Sequence, residues 1–277
     1  MQCTCMGERC RQMRVYLSLF IATFRSTVAY KSAVFAGMFA TVVSIGILVS
    51  LWSRVLVETG RGSIKDFDLP AVTTYFVCGN LFALLLQNEV DTRVAGEIYR
   101  GDHICALVRP IDYRRGHLVL GIAVIASRAL VLALPLLLVA AVVLPMTSPL
   151  PGDLLLGLVS LILALAIALN ANLLLGLVGF ATSNTWGVRY IYGSLLTALS
   201  GQVVPLSLLP SLIRRLLECL PFAAMISMPM QVLQHRYASR SHLLIILSVQ
   251  LTWVVVLNLI GRFAWKRLHT QAQAVGG

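Results

Sequence analysis

GEIYRGDHICALVRPIDYRRGHL occupies residues 96–118. Its charged side chains are Glu97, Arg100, Asp102, Arg109, Asp112, Arg114 and Arg115. Long apolar runs flank it on both sides. A stretch this polar has to leave the environment in which those runs sit, so it divides the chain into segments that cross an apolar layer and a connection that does not.

Composition fixes what that layer is. Of the 277 residues, 58% are hydrophobic and 12% charged, against about 25% charged in an ordinary soluble domain. The mean hydropathy is +0.85. The chain reads as an all-α integral membrane protein. Its apolar residues form unbroken runs rather than alternating ones, which argues against a β-barrel.

Six runs are long enough to span about 30 Å of hydrocarbon at ~1.5 Å per residue. They cover residues 32–53, 69–88, 118–144, part of 154–180, 187–208 and 242–261. Asp112 is placed to cap the helix leading into the third, and Pro135 to kink it. Residues 13–31 carry Leu17, Phe20, Ile21, Phe24 and Val28 at helical spacing, with Arg14, Ser18 and Arg25 beside them, and read as an interfacial helix. Residues 1–12 read as a disordered leader or a mis-assigned start, with Met13 as the alternative first residue. Residues 13–268 form a single transmembrane domain and 269–277 a cytoplasmic tail. Cys3, Cys5 and Cys10 have the spacing C-x-C-x4-C, which fits no common zinc pattern, so no metal site is expected.

The net charge of +11 does not point to nucleic acid, because the basic residues sit between apolar runs. With the N-terminus inside, fourteen Lys and Arg fall on the cytoplasmic side and seven outside, with Arg128 inside a span. Both termini are then cytoplasmic in a multi-pass protein.

Residues 205–241 do not fit a simple loop. They are apolar but broken by Pro205, Pro210, Pro221 and Pro229, and the helix expected at 211–220 is too short to cross. Irregular backbone at membrane depth has to be buried in protein or line water, so short helices dipping into the outer leaflet are expected. Four polar side chains within spans, Arg128, Asn170, Asn172 and Gln202, are open to two readings: the lining of a substrate path, or helix-to-helix hydrogen bonding with Arg128 paired or snorkelling.

Several chemistries lack their motifs. No G-x-x-x-x-G-K-[ST], H-E-x-x-H or G-x-S-x-G is present, so neither catalytic residues nor bound cofactors are expected in this chain. Glu89 and Asp91 fall at the inner end of the second span, which weakens an ion-coupled transporter.

The opening stretch begins a little earlier. Val90, Val94 and Ile98 recur at i, i+4 and i+8, while Glu89–Arg93 and Arg93–Glu97 have ion-pair spacing. Gly101 suits a helix C-cap, Asp102 a new N-cap, and Pro110 a stop. Two short amphipathic helices are expected to project into the cytoplasm. Ile98, Ile104 and Leu107 then need an apolar partner.

These residues resemble a family. Glu97, Ile98 and Gly101 (E-I-x-x-G), then Leu107 and Pro110 (L-x-x-P), are similar to the segment between spans two and three of type-2 ATP-binding-cassette export permeases, in particular a six-span bacterial branch. Gly201, Pro205, Leu206 and Pro210, then Leu220, Pro221 and Phe222, then Pro229, resemble the region between that branch's fifth and sixth spans. The resemblance implies a permease subunit of the bacterial cytoplasmic membrane. It would pair with a second permease, the same or different, and with a separate ATPase subunit that binds ATP and Mg. The coupling residues would be Val94, Glu97, Ile98, Arg100, Gly101, Ile104, Leu107 and Pro110. The outer gate would contain Gly201, Pro205, Leu206, Pro210, Pro221, Phe222 and Pro229, and the cargo would be amphiphilic. The rival readings are a secondary transporter and a non-transporting membrane assembly factor.

Overall fold

The computed structural model describes residues 2–29, 31–58, 68–102, 112–182 and 185–275. Among them every regular element is helical. Five segments are long and apolar enough to cross a membrane: Val34–Leu56, Leu69–Arg100, Tyr113–Val143, Pro151–Phe180 and Arg240–Leu268. Leu69–Arg100 is 72% buried, against 11% for Val34–Leu56 and 17% for Arg240–Leu268. The second segment is therefore the axis of the bundle.

Helix α1 (Gln2–Ala29) takes in the expected leader as well as the expected interfacial helix, and packs against α5 (Tyr113–Arg128). α2 (Lys31–Glu58) runs antiparallel to α3 (Leu69–Leu86). Ser44 bonds Asn80 at 3.1 Å, and Trp52 stacks on Phe76 at 5.8 Å. Asp68 caps α3 by accepting from the Ala71 amide at 3.1 Å. The expected Asp112 cap is present, accepting from the Arg115 amide at 2.8 Å. Where a kink at Pro135 is expected, a π-turn at Ala129–Ala133 joins α5 to α6 (Leu134–Val143), just ahead of the residue that has no amide donor.

The second span differs from the sequence reading. Its axis does not stop at residue 88 with a helix projecting beyond. α3 breaks at residues 87–89 and continues as α4 (Val90–Arg100), packed beside α5 and α7 (Pro151–Leu177). Gly176 permits this approach, because a Cβ there would lie 2.6 Å from that of Val94. Val90 and Val94 are fully enclosed and Ile98 is 9% exposed. The i, i+4, i+8 apolar stripe is thus consumed by the protein's own core. Gly101 closes the helix as expected, with φ +76° and its amide on the Ile98 carbonyl at 3.1 Å.

The fifth expected span, 187–208, also differs. α8 (Trp186–Leu199) has 14 residues, about 21 Å at 1.5 Å per residue. It ends where Gly201 adopts φ +86°, and Pro205 has no amide to continue it. α8 nevertheless runs through most of the bundle. Arg189 in its first turn meets Asp91 at 2.9 Å, while Gly201 beyond its end accepts from the Tyr75 hydroxyl at 2.8 Å.

Three short helices follow: α9 (Ser211–Glu218), α10 (Pro221–Met225) and α11 (Ser227–Leu233). They form a hairpin that enters the bundle and returns to the same end. At its tip the Gln250 amide on α12 (Arg240–Val275) donates to the carbonyls of Ala224 at 2.8 Å and Ser160 at 3.1 Å. Ser160 Oγ returns a bond to Gln250 Oε1 at 2.8 Å. Trp253 donates to the Cys219 carbonyl at 3.2 Å. On the way out Gln234 reaches the Ala71 carbonyl at 2.9 Å, and His235 reaches Asp153 at 2.9 Å. Both ends of the hairpin therefore lie beside the 144–150 connection. Ala223, Ala224, Met225, Ile226 and Met230 are completely buried.

The buried amide of Gln250 is the tie that holds this tip. Gln250→Leu leaves the Ala224 carbonyl without its donor, a loss of about 1–3 kcal/mol. Thermal unfolding of the purified protein in detergent should show a lowered midpoint. An unchanged midpoint would mean that the tip does not depend on this bond.

Candidate functional site

The break in the second span gathers charge inside the bundle. Asn88, fully buried, closes the turn by donating to the Leu86 carbonyl at 3.2 Å and accepting from the Val90 amide at 3.3 Å. Glu89 sits at φ 60°, a left-handed conformation that a non-glycine residue adopts only when its surroundings compel it. The compelling partner is Arg128, near the middle of the Tyr113–Val143 segment. Its guanidinium holds the Glu89 carboxylate at 2.6 Å and also bonds the Gln87 carbonyl. Arg93 adds the expected i,i+4 contact to Glu89, at 3.7 Å. Two residues on, Asp91 is paired with Arg189 of α8.

Beside these pairs, α3, the break and α8 enclose an open cleft of about 950 Å³. Gln87, Glu89, Asp91, Asn172 and Arg189 supply its polar wall, and Gln202 closes its far end. Trp186 and Tyr190 stack at 5.6 Å on its rim and are largely exposed. The cleft combines paired charges, amides and aromatic faces along one side of the bundle.

The expected lining residues separate into two groups. Gln202 and Asn172 line the cleft, and Asn172 also donates to the Leu86 carbonyl at 3.2 Å. Arg128 stands behind it, neutralising Glu89. Asn170 lies elsewhere: it accepts from Asn258 at 3.3 Å and so joins α7 to α12. Arg189, Glu89 and Asp91 were missed as site residues. The sequence placed both carboxylates at the end of a span, and the structure places them inside the bundle. Their signal was Arg128 itself, since a guanidinium at mid-span calls for an acidic partner.

The expected coupling residues are not one surface. Val94 and Ile98 are core. Glu97 faces inward to His117 at 3.1 Å, whose ring is 4% exposed. Arg100 is exposed and pairs with Asp102 at 2.8 Å, and Tyr99 beside it is 76% exposed. Ile104, Leu107 and Pro110 lie outside the described residues.

The expected gate residues lie on or around the hairpin. Gly201, Pro205 and Leu206 are buried at its entry, and Leu206 touches the space above Gly201. Pro210 is exposed before α9. Pro221 and Phe222 open α10, with Phe222 against Tyr192 at 5.9 Å, and Pro229 is buried within α11. At the exit the Tyr237 hydroxyl donates to Asp153 at 2.6 Å. That bond raises the Tyr237 phenol above its ordinary value, so it stays a donor.

Residues 42–274 match the family described as ABC-2 family transporter protein. No curated protein matches the chain.

The Arg128–Glu89 pair can be tested as a unit. Removing Glu89 leaves the largely enclosed Arg128 guanidinium without its carboxylate, so the two single losses together should exceed that of the double change. Arg128→Met and Glu89→Gln should each lower the thermal midpoint, and the double variant should recover part of the loss. Strictly additive losses would show that the two side chains do not act on one another.

Proposed function

The chain belongs to the ABC-2 transporter family, and from that premise we propose that it is the transmembrane subunit of an ATP-driven exporter. In this reading it forms half of a translocation path, with a second permease, the same or different, supplying the other half. The observation that carries the proposal is the cleft between the broken second span and α8. It sets a few charged and amide side chains in a largely apolar wall, carries aromatic rings at its rim and is open along one side. A facing copy of such a surface would close it into a conduit.

The proposed layout has six crossings. α8 completes the fifth together with the unwound residues after it, and the 205–234 hairpin dips in and returns. Both termini and the 101–112 connection are then cytoplasmic, and the 144–150 connection is outside, in a bacterial cytoplasmic membrane. The excess of Lys and Arg on the first set of segments supports this orientation. The hairpin then stands at the outer end of the path, where a gate is needed.

A separate ATPase subunit, binding ATP and Mg, docks at the cytoplasmic end of α4. The burial of Val94 and Ile98 changes how the pull is delivered. α4 is the inner half of the central span, so a load on Tyr99, Arg100 and the connection through Leu107 and Pro110 reaches Glu89 and Asp91 along one rigid helix. Those carboxylates invite a second reading, an ion-coupled transporter. Each is paired with an arginine, however, so the ATP-driven reading is preferred.

Leu107→Asp places a carboxylate on the proposed docking segment. Pull-down of the ATPase subunit should fall at least tenfold while membrane yield is kept, because an unpaired buried charge is costly at a contact. Ile98→Asp should instead lower the yield itself, since Ile98 is core. Normal pull-down and normal ATP-driven transport with Leu107→Asp would overturn the docking proposal.

A further inference from the structure

A second cavity, of about 610 Å³, lies at the 144–150 end, bounded by α3, α9, α11 and the start of α12. Its size is that of a small-ligand site. None of its lining residues belongs to the cleft beside α8. Its titratable wall consists of Arg214, Arg236, His235 and His242 against one carboxylate, Glu218, with Tyr237 alongside.

Glu218 does not cancel this charge. Its carboxylate is 3.9 Å from Arg214, a loose pair with the guanidinium side chain 41% exposed. The nearby Asp153 does not line the cavity and is taken up by His235 and Tyr237. Two guanidiniums therefore outweigh one carboxylate on the wall. Ser227 and Tyr75 give the wall hydroxyl groups. Gln234 also lines it, and its Oε1 has no hydrogen-bond partner although its amide nitrogen is engaged.

The helix that brings Arg214 and Glu218 to this wall carries a second face. Leu212, Ile213 and Leu216 of α9 are 70%, 47% and 63% exposed. In a membrane protein that strip lies at the acyl boundary. One short helix thus joins an exposed apolar strip to the basic edge of a half-open cavity of mixed polar and apolar lining.

We propose that this cavity binds the phosphate-bearing headgroup of an acidic amphiphile, whose tails lie along Leu212, Ile213 and Leu216. Arg214 and Arg236 hold the phosphate, since guanidinium groups match its oxygens. The site is complete within one chain and does not depend on the ATPase reading, so the two stand or fall separately.

The test uses the full chain, without any ATPase, in zwitterionic phosphatidylcholine nanodiscs. A fluorescent phosphatidylglycerol is titrated in, with fluorescent phosphatidylcholine and inorganic phosphate as the other arms. Phosphatidylglycerol should bind at least tenfold more tightly than phosphatidylcholine. The paired change Arg214→Gln with Arg236→Gln should abolish that preference, and Leu212→Ser with Leu216→Ser should weaken lipid binding. Arg215→Gln, on the same helix but not on the wall, should leave it unchanged. Thermal midpoints establish that each variant is folded, and the single Arg variants replace the double if it is not. Three results would overturn the proposal: an unchanged preference in the Arg variants, an equal loss with Arg215→Gln, or displacement of the lipid by inorganic phosphate at comparable concentration.

Discussion

Backbone that leaves the helical ladder inside an apolar bundle must find its partners within the protein. Everything distinctive in this chain follows from how it meets that constraint. The hairpin between residues 205 and 234 would be untenable as bare backbone among apolar helices. Gln250, enclosed on all sides, supplies its tip with a donor and is itself held by Ser160. Trp253 and Tyr75 donate from α12 and α3 to the flanking carbonyls of Cys219 and Gly201, and Gln234 at the hairpin's end donates to the Ala71 carbonyl of α3. Because each of these bonds has its other partner on a long helix, the hairpin's position is fixed by the rigid part of the molecule. The cavity under α9 exists because the hairpin returns to the end from which it came.

The break in the central span meets the same constraint with charge. Asn88 satisfies the turn, and Arg128 answers both the Gln87 carbonyl and the Glu89 carboxylate. A neutral turn would close the gap as well. Paired charges add something a neutral turn lacks: they tie the central span to α5 and, through Asp91 and Arg189, to α8. In the proposed cycle this makes the break the place where movement of α4 is transmitted to the wall of the cleft. Each pair has one half-exposed partner and one largely enclosed one, so it contributes little net stability, while separating it leaves the enclosed charge unpaired. It therefore favours discrete arrangements over gradual deformation.

Much of this was legible in the sequence, and the failures have identifiable causes. Unbroken apolar runs located the long helices, because burial in lipid leaves that pattern and no other. Asp112 and Gly101 marked helix ends through local chemistry that needs no tertiary partner. The four prolines between 205 and 229 announced a segment that could not be a simple span. What failed was whatever depended on distant residues. A stripe of Val90, Val94 and Ile98 looks the same whether it faces a partner subunit or the flank of α7, and only the close approach at Gly176 decides. The apolar run through residue 208 hid the end of α8, although Gly201 and Pro205 were already visible as breakers. Glu89 and Asp91 looked peripheral because they follow the last apolar residue of α3, while the helix resumes at Val90, between them. The Gln250–Ala224 bond links two helices that no spacing rule connects.

The central claim is that residues 205–234 enter the bundle and come back without crossing it. Single cysteines at 148, 210 and 238, in an otherwise cysteine-free chain, test this most directly with a membrane-impermeant thiol reagent applied to sealed vesicles of known orientation. Ser148, Pro210 and Ala238 are all exposed. The account predicts that all three positions label from one and the same face. Labelling of 210 and 238 from opposite faces would make the segment a crossing, and would contradict the hairpin, the cavity beside α9 and the proposed layout built on them.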